Sequence, residues 1–305
     1  MIVTGAVTML IDRQRYRNLL LSVLVGLSIS PAVQTARTYQ ASWDKQQLLY
    51  WQLHWRAPSL QPNTMLVTDQ EILFFMGVSP TTFALNVLYP QVKQWPEASY
   101  WFNAGMEHIS WEQFGAGEPA VFQSFTETFR ATPEGVVAVS FDPGLDQCLW
   151  VMRTEYADLR GLSDTAAEWL SVSNPARIQL APDTMPPPEI FGEEPPHGWC
   201  YYYEKADLAR QFQQWQVVIA LWKQSAQNGG VRPRNSIELL PIIEAYARLG
   251  DWKSAQKLTM QGLVLPDRSN SVLCDVWREL GATAAASFER DQTVVAVQRQ
   301  LGCQK

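Results

Sequence analysis

The densest set of groups able to do chemistry lies in GEEPPHGWCYYYEK, residues 192–205, which holds Glu193, Glu194, His197, Trp199, Tyr202 and Glu204. Carboxylates accept hydrogen bonds from hydroxyls, and aromatic rings stack on the C–H faces of sugars. The mixture therefore suits a carbohydrate groove with few, convergent polar groups. The same residues would serve equally as a packed hinge with Trp199 and the tyrosines as core, and both readings stand. A second candidate is Asp69, followed by Glu71, at the end of the apolar run TMLVT, residues 64–68. An α/β sheet presents ligand groups beyond the carboxyl ends of its strands, and a solvated strand end is the alternative. Asp142 and Asp146 flank a Pro-Gly turn and read as turn residues.

Other chemistry lacks its pattern. His54, His108 and His197 are isolated, with no HExxH and no CxxC, so no metal site is expected. No glycine-rich dinucleotide or phosphate loop and no GxSxG elbow occurs, so no cofactor is expected and no catalytic residue is assigned. Four cysteines remain: Cys148, Cys200, Cys274 and Cys303. In an oxidising compartment Cys148 would pair with Cys200 and Cys274 with Cys303; four small buried apolar residues are the alternative.

The elements that must position these groups begin with a membrane signal. Residues 18–36, NLLLSVLVGLSISPAVQTA, carry no charge over 19 positions. As a helix this is about 28 Å long, near the hydrocarbon thickness of a bilayer. Arg13, Arg15 and Arg17 crowd ahead of it, whereas Arg37, Lys45 and Arg56 are spread out behind it. The positive-inside rule then places the C-terminal part outside the cytoplasm. The expected anchor has two rivals, a cleaved signal peptide and a buried soluble helix. The apolar stretch IVTGAVTMLI before the arginines favours the anchor, as the stump of a preceding transmembrane helix. Tyr39, Trp43, Tyr50, Trp51 and Trp55 suit an interfacial belt or the first helix of the soluble part.

The 305 residues are 47% hydrophobic and 18% charged, with room for two cored domains. A net charge of −6 argues against a nucleic-acid partner, which would require a basic face. Pro58 and Pro62 close the first helix. Strands are expected at 64–68 and 99–102, with a short helix at 80–90. The runs 121–131, 136–141 and 148–152, separated by Thr132-Pro133-Glu134-Gly135 and Asp142-Pro143-Gly144, read as an antiparallel meander. Six of the 19 prolines fall between residues 182 and 196, a stiff connector.

From Trp199 the pattern is helical. Aligning Trp215 with Trp252 gives a repeat of 37 residues, near the tetratricopeptide period of about 34. Tyr246, Gly250, Trp252, Ala255 and Gly262 fall at that motif's spacings. Thr259 departs from it, because a large apolar residue is expected there, and Val218 stands where the first unit should have Ala. A generic helical bundle is the alternative.

The stretches YWQLHWRAPSLQPNTMLVTD and IFGEEPPHGWCYYYEKADLARQFQQWQ…ELLPIIEAYARLGDWKSAQKLT resemble the C-terminal, non-membrane region of bacterial membrane proteins related to dolichol-phosphate-mannose-type glycosyltransferases. The resemblance implies an extracytoplasmic region behind a multi-helix membrane part. The family's catalytic carboxylate lies in an early loop of that membrane part, so the resemblance carries no catalytic residue onto this chain.

The resulting expectation is an α+β chain. It has membrane-spanning residues at 1–36, a mixed α/β domain with the meander at 37–170, a proline-rich connector at 171–197 and an all-α tetratricopeptide-like domain at 198–305. Its expected role is a non-catalytic accessory or interaction module, with the lipid bilayer, a membrane glycosyltransferase-like protein and a carbohydrate or lipid-linked sugar as partners. The alternative is a hydrolase or glycosyl transferase using acids at the domain junction. Raised pKa values on acids gathered in one deep pocket would favour the enzyme.

Overall fold

The computed structural model describes residues 13–303, apart from 69–71, 74, 91, 105–108, 110, 126, 143–146, 158, 160–162, 182–184, 229–232, 266–268 and the side chain at 165. The chain divides into two compact units, Met1–Gln46 and Gln47–Lys305.

The first unit carries most of helix α1, Gln14–Arg56. Leu19, Val25, Leu27, Ile29 and Val33 are all exposed. The most apolar 18-residue window has a mean hydropathy of 1.7, and none of it is buried. Among the described residues this is the one helix long and apolar enough to cross a membrane. Pro31 within it lacks a backbone N–H. Ser28 and Thr38 turn their hydroxyls onto the carbonyls of Val25 and Gln34, so their side chains carry no unmet donor.

The second unit is built on a four-stranded sheet in the order β3-β2-β6-β7, with β2 at Thr64–Val67, β3 at Tyr100–Asn103, β6 at Val136–Ser140 and β7 at Trp150–Val151. β2 runs parallel to both β3 and β6, and only β7 is antiparallel to its neighbour. The expected antiparallel meander is therefore corrected. The run 121–131 folds on itself as a separate hairpin, β4 (Ala120–Ser124) against β5 (Glu127–Ala131), and β5 does not pair with β6. The physical reason shows in β6, where Val136, Val137, Ala138 and Val139 are all buried. A strand covered on both faces is an uninterrupted apolar run, the habit of parallel strands, rather than the half-exposed member of a meander. Pro133–Gly135 form a 3-10 turn that leads the chain from β5 into β6, which pairs with β2, and a Cβ at Gly135 would lie 2.5 Å from the Asn63 carbonyl oxygen.

Side chains alternate across this sheet. Met65, Val67, Trp101, Val136, Ala138 and Trp150 enter one apolar cluster. Leu66, Tyr100, Phe102, Val137, Val139 and Val151 enter a second, with Leu49, Tyr50 and Leu53 of α1. The aromatic stripe of the first helix thus divides: Tyr50, Trp51 and Trp55 are core, and Tyr39 and Trp43 are exposed. Helix α2, Val78–Leu88, covers the edge strand β3. Asn86 accepts from the Tyr100 N–H and donates to its carbonyl, and Thr82 accepts from the Phe102 N–H. Backbone groups that would otherwise template edge pairing are thereby satisfied.

Within the proline-rich stretch, β8 (Ile178–Gln179) pairs antiparallel with β1 (Ser59–Leu60). A short helix at Pro188–Phe191 buries Phe191, whose carbonyl accepts from Trp51 Nε1 and Gln47 Nε2. Gly192 follows at φ +70°, and a Cβ there would overlap the Gln47 amide, so this bend requires glycine.

The C-terminal region is helical: Trp199–Gln211, Trp215–Asn228, Leu240–Arg248, Trp252–Gly262, Asn270–Thr283 and Phe288–Leu301. The first packs on the second, the third on the fourth and the fifth on the sixth. Asp251 caps the fourth helix by accepting from the Ser254 N–H. Thr259, out of place by size, earns its position through its hydroxyl. It accepts from Nε1 of the fully buried Trp277 and donates to the Ala255 carbonyl, and a large apolar residue would orphan the indole N–H. Ala255 is fully buried. Replacing it with Trp is expected to overpack that contact and cost about 1–3 kcal/mol, read as a lowered unfolding midpoint; an unchanged midpoint would contradict the packing described.

Candidate functional site

A pocket of about 330 Å³ opens beside the GEEPPHGWC stretch, lined by Trp55, Pro195, Pro196, Trp199, Cys200 and Tyr201 among others. Trp55 comes from the last turn of α1, and Trp199 to Tyr201 from the start of the helix Trp199–Gln211. The two are brought together by the Gln47 and Trp51 bonds to Phe191, which fix the chain that leads into the prolines.

Glu194 does not line the pocket itself but bonds a residue that does. Its Oε1 accepts from Trp55 Nε1 at 3.0 Å and lies 3.0 Å from His197 Nε2. The His197 ring stacks on Tyr201 with centroids 3.6 Å apart, and Trp55 meets Tyr201 edge-on at 5.2 Å. Glu194 and His197 are thus assembled as a pair on an aromatic frame. Trp199 contributes one side of the pocket while its Nε1 donates to Glu238 Oε2 at 2.7 Å. Glu193 is exposed. Tyr202 points into the helix pair, its hydroxyl accepting from Asn228 Nδ2 at 3.0 Å. Glu204 is fully buried away from the pocket lining. Asp69 lies outside the described residues.

Beneath the pocket Cys148 is bonded to Cys200 and, near the C-terminus, Cys274 to Cys303, with Cα separations of 5.2 and 5.6 Å. Glu238 ties this bridge to the aromatic frame: it accepts from the Cys148 and Arg234 N–H groups as well as from Trp199. Burial raises its carboxyl pKa, and those donors oppose the rise.

A buried ionic cluster holds the first turns of this architecture together, and nothing in the sequence singled it out. Arg56 Nε lies 2.6 Å from Asp207 Oδ2, and Arg56 Nη2 donates to Gln211 Oε1 at 3.1 Å. Asp207 Oδ1 lies 2.9 Å from Arg210 Nε, and Arg210 reaches Glu244 at 3.6 Å. Arg56, Asp207 and Arg210 are all buried. Burial pushes the Asp207 carboxyl up, but Arg210 and Arg56 outweigh it and hold it well below the usual carboxylate range. Glu204 goes the other way: burial raises it well above its ordinary value, and Arg56 only partly opposes this. The two carboxyls of one helix are thus shifted in opposite directions, Glu204 up and Asp207 down. The signal was present as the spacing 204, 207, 210 in YYYEKADLARQ, polar groups recurring on one side of a helix otherwise made of core residues.

The cluster opens at Arg210 and Glu244 onto a polar pocket of about 420 Å³ shared with Arg153, Arg248 and Glu279. Three guanidinium groups meet two carboxylates there: Arg210 and Arg248 reach Glu244, Arg248 also reaches Glu279, and Arg153 pairs outside the lining with Glu155 at 3.9 Å. Among the described residues no group of three or more His, Cys, Asp or Glu is placed to hold a metal ion.

Fold and pocket together define an α+β chain with a long apolar N-terminal helix, a small parallel sheet and a C-terminal helical region, carrying an aromatic, proline-edged pocket. No family model, curated protein or solved structure matches it.

Proposed function

We propose that the chain is a non-catalytic, membrane-anchored accessory module of a glycosyltransferase-like system of the cell envelope, and that its aromatic pocket holds a sugar or the sugar of a lipid-linked donor. The observation that carries this reading is the frame of Trp55, Trp199 and Tyr201 that lines the pocket, with Glu194 bonded to Trp55 next to the lining prolines. The contacts of Glu194 with Trp55 and His197 both fall on Oε1, so Oε2 would accept from a ligand hydroxyl while the rings take the C–H faces. A non-catalytic role is supported by where the acids lie. Glu204 and Glu238, whose pKa values are raised, are buried in the core rather than gathered on a reactive surface, and Glu193 and Glu194 face solvent wholly or in part. The successive packed helix pairs support a tetratricopeptide-like platform for a protein partner. The long exposed apolar helix supports anchoring, and the arginines ahead of it support an extracytoplasmic placement of the remainder.

The test is calorimetric titration of the full chain in detergent with a hexose, an N-acetylhexosamine and a polyprenyl-phosphate-linked sugar. One of these is expected to bind saturably. Tyr201→Ala should weaken that binding about tenfold, ~1.4 kcal/mol, by removing one stacking face. Glu194→Gln should weaken it while leaving the fold unchanged. Absence of saturable binding to all three would refute the sugar site.

A further inference from the structure

The hairpin β4–β5 ends in a feature that packing does not require. Phe125, at its tip, has φ +49° and is 81% exposed. Tight hairpin turns that need positive φ draw Gly, Asn or Asp, because a Cβ crowds the backbone there. A bulky aromatic residue held in that conformation leaves most of its surface in water.

Phe125 is not alone. Its ring stacks on Phe83 of α2, with centroids 6.2 Å apart. One turn further along the same helix face stands Val87, also exposed. The segment before β3 runs alongside the hairpin: Glu97 bridges Thr128 in parallel, the Thr128 N–H donates to the Pro96 carbonyl, and the Ala98 N–H donates to the Thr128 carbonyl. That register carries Trp95, 71% exposed, to the tip end of the hairpin, with Val92, 67% exposed, three residues before it. Phe125, Val87, Trp95 and Val92, four exposed apolar side chains from three separate elements, thus gather about this end of the hairpin, with the half-buried Phe83 beneath Phe125. Lys93, between Val92 and Trp95 in the chain, pairs with Glu97 at 3.2 Å, and Arg130 is exposed on β5 of the same hairpin. Soluble monomers seldom expose such a group without a use for it.

We infer that this patch is a second membrane contact: Phe125, Trp95 and Val92 enter the headgroup–acyl boundary of the bilayer crossed by the N-terminal helix. Two observations select the bilayer as occupant. The apolar window of that helix is wholly exposed and of bilayer-crossing length. That helix belongs to the same chain, so lipid contact by the second unit would be intramolecular once the helix is inserted. Tryptophan and phenylalanine beside lysine and arginine are also the composition of interfacial contacts, where rings sit at the headgroup level and cationic stems reach outward. The inference rests on the anchoring part of the proposed function and is independent of the sugar site.

The experiment uses the full chain in vesicles of phosphatidylcholine and phosphatidylglycerol. The described residues hold no free cysteine, so Phe125→Cys and Val92→Cys each give a single site for an environment-sensitive fluorophore. Val264→Cys, 82% exposed on the helical region, is the reference. Quenching by shallow nitroxide-labelled lipids is expected to be several-fold stronger at 125 and 92 than at 264, with a blue-shifted emission at the first two. Failure of the chain to co-float with vesicles would overturn the anchor and the patch together. Co-flotation with equal, weak quenching at all three positions would overturn the patch alone, leaving the anchor standing. Protection of 125 that appears only when a native membrane protein is added would also overturn it, in favour of a protein partner.

Discussion

Replacing Asp207 with Asn should destabilise the second unit by about 3–5 kcal/mol, because Arg56 and Arg210 would stay buried with their shared counter-charge removed. The effect is long-range: Arg56 and Asp207 are 151 positions apart, so their contact closes the end of the first helix onto the helical region. Glu204→Gln is the matched control. Its carboxyl is fully buried and burial raises it well above its ordinary value, which favours the uncharged form, so an amide of the same shape should cost under about 1 kcal/mol. The pH dependence separates the two further. The Asp207 carboxyl is held below its ordinary value of 3.8, so the unfolded chain binds more protons in that window, and stability is lost as pH falls below 3.8. The Glu204 carboxyl is held above its ordinary value of 4.5, so its contribution is complete below that pH and declines as pH rises past it. Asp207→Asn should flatten the acid limb and Glu204→Gln the limb above pH 4.5, both followed by urea unfolding of the detergent-solubilised chain. An Asp207→Asn chain with the parent's midpoint and acid limb would show that the cluster does not hold these elements together.

The second large effect concerns the bridge between Cys148 and Cys200. Substituting both with Ala should cost roughly 2–4 kcal/mol, since it frees a loop of 52 positions in the unfolded chain. The loss should appear as a lowered melting temperature, by on the order of 10 °C for a unit of this size. It should also loosen the pocket, because the Cys148 N–H and Trp199 Nε1 converge on Glu238 and the bridge holds both near it. The Cys274–Cys303 bridge closes a shorter loop, of 29 positions, near the chain end and should matter less. Non-reducing peptide mapping of protein from its native compartment is expected to recover 148 with 200 and 274 with 303. Free thiols at 148 and 200 with an unchanged melting temperature would show that packing alone joins these elements.

Much of the element content could be read from residue order alone. The apolar helix, the short strands at TMLV and YWFN, the helix between them and the helices after Trp199 each follow from local hydrophobic period and from Pro, Gly and capping residues, which act over a few positions. The cysteine pairing was legible too, with its alternative, because each pair joins cysteines near one another in chain order, 148 with 200 and 274 with 303. The strand order was not. A run such as VVAVS is equally apolar whether its neighbour is β5 or β2. Only the burial of both its faces, supplied by α1 on one side and the helical region on the other, makes it an inner strand of a mainly parallel sheet. The site shows the same division. The sequence placed Glu194, His197 and Trp199 in one stretch, and local spacing sufficed to bring Glu194 and His197 together. Whether Tyr202 and Glu204 faced the pocket or the core depended on which side of their helix met its partner, a matter of a hundred degrees per residue. Trp55, Arg56, Asp207 and Glu238 were invisible as a group, since contacts across 90 to 151 positions are made by folding and leave no local pattern.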